Sequence, residues 1–114
     1  MAEKRNPLKL NALQLKTLTV LQILAEDSNH GVQDEATGMV QIGQMPHAHG
    51  NHFHAGGGVI LTSDTTGLSN PAVFRVLQRK GLVQPGFPMG LTVTAAGMAY
   101  DTGMRDKILH GTDH

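Results

Sequence analysis

The sequence predicts an α+β domain in which a small antiparallel β element packs on three to four helices. Leucines recur at helical spacing from Leu15 to Leu24, whereas apolar and polar residues alternate from Met39 to Gly43. A third observation is the content of 14 glycines and 5 prolines in 114 residues, which indicates many tight connections. Since a chain of this length buries one hydrophobic core, we expect a single domain over residues 1–114.

The composition restricts the classes of partner and cofactor. Nine Lys and Arg residues balance nine Asp and Glu residues, so no overall positive charge attracts nucleic acid. The absence of cysteine excludes disulfides and thiolate metal ligands. Because the sequence has neither a leader-like start nor a run of about 18 apolar residues, we expect a cytoplasmic protein without a membrane partner. We also expect a basic arm over residues 1–10 and a frayed tail over residues 110–114.

The first and last helices are predicted from their capping residues. Asn11 and Gln14 have the spacing of a capping box, which places a helix from Ala12 to Glu26. Near the other end of the chain, Thr94 is expected to cap a long final helix. In that helix apolar residues recur at every fourth position, at Ala96, Tyr100, Met104 and Ile108.

A shorter helix is predicted in the middle of the chain. One or two helical turns, capped by Thr62 or Ser63, are predicted over residues 62–69. The helix then begins with Asn70 as its N-cap and Pro71 at its first position. Gly81 supplies the stop. The inward stripe of this helix is predicted to be Ala72, Val73, Val76 and Leu77, and the outward stripe Arg75, Gln78, Arg79 and Lys80.

A β-hairpin is predicted around a turn at Gly50 and Asn51, because both residue types tolerate positive φ. In that register, paired residue numbers sum to 101. The apolar partners on one face are then Val40 with Leu61, Ile42 with Val59, and Ala48 with Phe53. We assign a structural role to the three glycines at 56–58, because the Gly-Lys-Ser/Thr motif of a nucleotide-binding loop does not follow them.

The same register brings four histidines together at the tip of the hairpin: His47, His49, His52 and His54. Imidazoles bind divalent transition metals such as Zn or Ni when no thiolate is present, and opposed residues in a hairpin lie close enough to share an ion. Three interpretations stay open: a metal site, an exposed polar turn without a ligand, and pH sensing or catalysis. The lack of Asp and Glu between Glu35 and Asp64 disfavours a hydrolytic enzyme.

The run NPAVFRVLQRKGLVQPGFPMGLTVTAAGMAY, which ends at Tyr100, resembles winged helix-turn-helix transcription regulators. In that family a helix ends in Arg/Lys-Gly-Leu-Val, a β-hairpin called the wing follows, and Leu-Thr-x-Thr-x-x-Gly opens the next helix. The resemblance covers the chain from Leu61 to Tyr100. The helix from Leu13 to Ala25 matches the first helix of the family more loosely. The resemblance implies a winged-helix-like fold for the α+β domain.

The resemblance also implies a partner, double-stranded DNA, whose major groove is read by the recognition helix. It assigns to that contact Asn70, Ala72, Arg75, Gln78, Arg79 and Lys80. Arginine pairs with guanine and glutamine with adenine through two hydrogen bonds each. A homodimer that reads two half-sites is a further implication. The sequence thus predicts a nucleic-acid-binding transcription regulator with metal or pH sensitivity.

Two alternatives to DNA binding follow from the residues themselves. The predicted wing, Gln84–Gly90, departs from the family because it contains neither Lys nor Arg. An uncharged wing on a neutral chain favours a winged-helix domain that binds another protein. The histidine cluster favours a metal-binding module on the same scaffold. An enzyme is the last alternative.

Overall fold

The computed structural model of the protein describes residues 6–27, 30–43, 50–85 and 91–111. Within these ranges the chain forms an α+β fold of four α-helices and two antiparallel sheets. The helices are α1 (Ala12–Glu26), α2 (Pro71–Arg79), α3 (Ala95–Ala99) and α4 (Arg105–Ile108). The strands are β1 (Gly31–Gln33), β2 (Val40–Ile42), β3 (His52–Ala55), β4 (Gly58–Leu61), β5 (Val83–Pro85), β6 (Leu91–Val93) and β7 (Leu109–His110). Two 3₁₀ turns, Thr62–Asp64 and Thr66–Ser69, connect β4 to α2.

Helix α1 begins at the predicted capping box. The Asn11 side chain accepts a hydrogen bond from the Gln14 amide at 2.8 Å, and the Gln14 side chain accepts one from the Asn11 amide at 2.9 Å. Every residue from Thr17 to Ala25 is buried, so this part of α1 is enclosed on all sides rather than on one leucine face. The helix is therefore the centre of the core.

Removal of the α1 cap gives a measurable loss of stability. We expect Asn11→Ala to lower the free energy of unfolding by about 1 kcal/mol, because the Gln14 amide at the first turn loses its acceptor. Urea denaturation followed by circular dichroism measures the change. The same exchange at the exposed Asn51 is the control and should change stability by less than about 0.5 kcal/mol. Equal losses in both variants would contradict the assignment of the cap.

The first sheet has the strand order β1-β2-β6-β5. Val40 lies opposite Gln33 on one side and Val93 on the other, and Ile42 lies opposite Gly31 and Leu91. The predicted pairing of β2 with β4 is therefore wrong. Strand β2 pairs with β1 and β6 instead. In this position Val40 and Ile42 are buried in the core with α1.

The second sheet has the strand order β3-β4-β7. Its hairpin turn is at Gly56 and Gly57, whose φ angles of +62° and +78° suit a tight two-residue turn, and not at the predicted Gly50–Asn51. Partner numbers sum to 113 instead of 101, so Phe53 lies opposite Ile60. Residues 59 and 61 consequently occupy the outer face, and the predicted partner Ala48 lies outside the described residues.

The predicted final helix is interrupted after Ala99. Tyr100 is extended (φ −68°, ψ 126°), and Gly103 has a φ of +70°. The reason is a contact with α1 that sequence spacing does not reveal. The Gln22 amide nitrogen donates to the carbonyl oxygens of Gly97 and Tyr100, both at 2.8 Å. Those carbonyls are therefore engaged by α1 instead of by a continuing helix.

Residues near both ends of the described chain pack on this region. The Tyr100 hydroxyl donates to Asn6 Oδ1 at 2.7 Å, and the Leu8 amide donates to the same hydroxyl at 3.0 Å. Leu10 is buried. At the C-terminal side, His110 in β7 pairs with Val59.

Within the described ranges, none of the helices has the length and apolar character needed to cross a membrane.

Candidate nucleic-acid interface

Helix α2 is fixed at both ends by local chemistry. Asn70 Oδ1 accepts a hydrogen bond from the Ala72 amide at 3.0 Å, and Pro71 occupies the first helical position. At the other end, Gly81 adopts a φ of +77°, and the Leu82 amide donates to the Leu77 carbonyl at 2.9 Å. The predicted start and stop of this helix are both confirmed.

One face of α2 is packed and the other is exposed. Val73 and Leu77 are buried against the core. At 100° per residue, the exposed positions lie within one arc on the opposite side. They are Pro71, Ala72, Arg75, Gln78 and Arg79.

The predicted DNA-binding residues fall into two groups. Arg75, Gln78 and Arg79 lie together on the exposed face, and the exposed Lys80 follows at the end of the helix. Asn70 is different, because its side-chain oxygen caps the helix. Ala72, which was predicted both on the inner stripe and as a DNA contact, is exposed.

A groove runs along α2 from the 3₁₀ turn that precedes it. It has a volume of about 480 Å³, and it is lined by Leu68, Ser69, Pro71, Phe74, Arg75 and Gln78. Leu68 and Phe74 are half-buried and give the groove an apolar side, while Arg75 and Gln78 give it a polar side. Sequence reasoning missed Phe74, although its position between the inner and outer stripes of the helical wheel indicates a flanking role.

The charge near α2 is positive. The sequence contains no Asp or Glu between Asp64 and Asp101, whereas Arg75, Arg79 and Lys80 fall in that interval. Asp64 itself lies 3.4 Å from the ammonium group of Lys16, which offsets its charge. The segment 65–100 therefore has three positive charges and no negative one, on a chain with no net charge.

The 3₁₀ turns set α2 against α1. Gly67 is buried at this contact, where a Cβ atom would overlap the side chain of Thr17. The Thr17 hydroxyl donates to the Leu13 carbonyl at 2.8 Å, so it is held in place. Glycine thus allows the turn before α2 to approach the central helix closely. The capping by Thr62 or Ser63 predicted for this segment is wrong, because no side chain caps the first turn.

Hydrogen bonds connect the end of α2 with the start of α3. The Thr94 amide donates to the Leu82 carbonyl at 3.0 Å, and the Thr94 hydroxyl donates to the Gly81 carbonyl at 2.7 Å. The Gly97 amide donates to the Thr94 hydroxyl oxygen at 3.0 Å. These bonds join the end of α2 to the start of α3 across the base of the β5–β6 hairpin. Residues 86–90, the tip of the predicted wing, lie outside the described residues.

Two of the four predicted histidine ligands are described. His52 and His54 lie on β3, and their ring centroids are 5.2 Å apart with the ring planes at 82°. Their partners on β4 are Leu61 and Val59, respectively. His47 and His49 lie outside the described residues. Among the residues that the structure describes, no group of three or more His, Asp or Glu side chains is placed to hold a metal ion.

No protein-family model, curated protein or solved structure matches this chain.

Proposed function

We propose that this chain binds double-stranded DNA through the exposed face of α2, as a winged-helix-like transcription regulator. The observation that carries the proposal is the side-by-side exposure of Arg75, Gln78 and Arg79 on a helix whose opposite face is buried. These side chains have the donors and acceptors that read guanine and adenine in the major groove. A short helix with capped ends presents them on a rigid support.

The surroundings of α2 support this proposal. The interval from Thr65 to Tyr100 has no carboxylate to repel phosphate, and Asp64 is paired with Lys16. The order of α2, β5 and β6 is the order that the resemblance implies for a recognition helix followed by a wing. The homodimer and the cytoplasmic location expected from the sequence stay predictions.

The test is a measurement of DNA affinity with charge-matched variants. We expect the chain to bind a pool of short duplexes of random sequence at low salt, as measured by fluorescence anisotropy. Arg75→Gln combined with Arg79→Gln should weaken binding by at least about tenfold and reduce the slope of log K against log salt by about 2. The reason is the loss of two cations from the proposed phosphate and base contacts.

The control removes the same charge elsewhere. Lys9 and Lys107 are exposed outside α2, so Lys9→Gln combined with Lys107→Gln gives the same net charge. This variant should keep most of the affinity. Equal weakening in both double variants, or no binding by the folded chain at low salt, would contradict the proposal.

A second candidate function is a winged-helix domain that binds another protein. The groove beside α2 favours it, because Leu68 and Phe74 offer an apolar surface next to polar groups. The absence of Lys and Arg from residues 85–90 also fits a protein partner better than a phosphate backbone. A folded chain that fails to bind any duplex would favour this second candidate.

A further inference from the structure

Two imidazoles project from the outer face of β3. His52 and His54 are two residues apart on one strand, so both lie on the same side of the sheet. The inner side carries Phe53 and Ala55, which are buried. The ring centroids of the two histidines are 5.2 Å apart, His54 is exposed and His52 is half-buried. The pair is thus accessible from solvent without any change in the backbone.

The surroundings select the kind of ion that this pair suits. The cross-strand partners of His52 and His54 are the aliphatic Leu61 and Val59, and β3 and β4 contain no carboxylate. Mg²⁺ and Ca²⁺ prefer sets of oxygen ligands that usually include carboxylates, and neither β3 nor β4 contains a carboxylate. Imidazole nitrogens suit Zn²⁺, Ni²⁺, Co²⁺ and Cu²⁺.

Asn51 orients the ring of His52. The Nδ1 atom of His52 lies 3.3 Å from Asn51 Oδ1. In the tautomer with its proton on Nδ1, His52 donates to that oxygen and leaves Nε2 free of a proton, as a metal ligand requires. Asn51 is itself anchored, because its carbonyl accepts hydrogen bonds from the amide and the hydroxyl of Thr62 at 2.8 and 3.1 Å.

We propose that His52 and His54 bind one divalent transition-metal ion, such as Zn²⁺ or Ni²⁺, with Asn51 as a positioning residue. Two imidazoles share an ion when each ligating nitrogen lies about 2.0–2.1 Å from it, which puts the two nitrogens no more than about 4 Å apart. The ring centroids of His52 and His54 are 5.2 Å apart, so binding requires the two rings to turn their ligating nitrogens toward each other. Water completes the coordination. The site is independent of DNA binding by α2.

Isothermal titration calorimetry of the full chain without a histidine tag tests the site. We expect one Ni²⁺ or Zn²⁺ ion to bind per chain. His52→Asn combined with His54→Asn should abolish the heat of binding or weaken the affinity by at least about a hundredfold, because both ligands are lost. A chain that binds neither ion, or a double variant that binds as tightly as the original, would overturn the proposal. An unchanged amide NMR spectrum away from β3 checks that the variant is folded.

Control variants distinguish this pair from the other histidines. His110 lies on β7, opposite Val59, and β4 separates β7 from β3. His110→Asn should leave the affinity unchanged. His47→Asn combined with His49→Asn should retain binding at His52 and His54. Loss of binding in either control, with retention in the His52/His54 double variant, would overturn the proposal. Paramagnetic Ni²⁺ should broaden the imidazole NMR signals of His52 and His54 before those of other histidines.

Asn51 has a test of its own. Asn51→Ala removes the acceptor for His52 Nδ1 and should weaken metal binding by about tenfold or more, whereas Asn51→Asp keeps an acceptor and should restore it. A merely structural role for Asn51 would give equal affinities in the alanine and aspartate variants. That result would overturn its assignment as a positioning residue.

Discussion

Gln22→Met is expected to lower the free energy of unfolding by about 2–4 kcal/mol. The side chains are similar in size, but methionine has no donor for the carbonyl oxygens of Gly97 and Tyr100, which accept from Gln22 at 2.8 Å. A buried carbonyl that loses its partner costs about 1–3 kcal/mol. Chemical denaturation monitored by circular dichroism measures the loss.

The control for this variant is the same exchange on the surface. Gln41 is exposed on β2, so Gln41→Met should change stability by less than about 0.5 kcal/mol. If Gln22→Met were as stable as the original chain, the two hydrogen bonds of Gln22 would not contribute to stability as proposed. Amide exchange at residues 97–103 would report the region that loosens first.

Gly97→Ala is the second variant for which we expect a large effect, a net loss of about 2 kcal/mol. In an unconstrained helix the change from glycine to alanine adds about 1 kcal/mol of stability, so a loss reverses the usual sign. The reason is space, because a Cβ atom on Gly97 would overlap the backbone carbonyl of Leu82 and press on the Val93 side chain. Backbone atoms cannot move aside as a flexible side chain does.

Thermal unfolding of Gly97→Ala measures this loss, with Gly43→Ala as its control. A Cβ atom on Gly43 meets no atom of the described residues within 4 Å, and its φ is not positive. This control should leave stability unchanged or raise it by up to about 1 kcal/mol. Stabilisation by Gly97→Ala would mean that α3 does not lie against Leu82 as closely as described.

The elements that were predicted well are those with local signals. The capping box at Asn11 and the start of α2 at Asn70 involve residues within three positions of each other, so the sequence alone contains the interaction. The same holds for Gly81, whose positive φ ends α2.

The elements that were predicted poorly depend on distant partners. The sequence is compatible with a hairpin turn at Gly50–Asn51 or at Gly56–Gly57, and the structure has the second. The Asp27 carboxylate stabilises that turn, because it accepts a hydrogen bond from the Gly56 amide at 2.9 Å. Asp27 is 29 residues away, beyond the reach of a turn rule. The break after Ala99 likewise depends on Gln22, whose bond to Tyr100 spans 78 residues. Periodicity favoured one long helix because it reports no such contact.

The candidate site was predictable in part for the same reason. The exposed stripe of Arg75, Gln78 and Arg79 follows from helical geometry once the helix is placed. The groove was not predictable, because Leu68 reaches it only through the packing of a 3₁₀ turn against α1. The predicted cross-strand histidine pairs depended on a register that the structure does not have. The pair on β3 depends only on the two-residue spacing of a strand.

The bonds of Thr94 to Gly81 and Leu82 have a consequence for how this chain can diverge. They join α2 to α3 at the base of the β5–β6 hairpin, and the segment that connects the two strands lies beyond this base. Lengthening such a connection costs little in loop-closure entropy. Substitutions in that segment, including those that change its charge, can therefore accumulate while the helices beside it keep their arrangement. New binding preferences can arise there at small cost to folding.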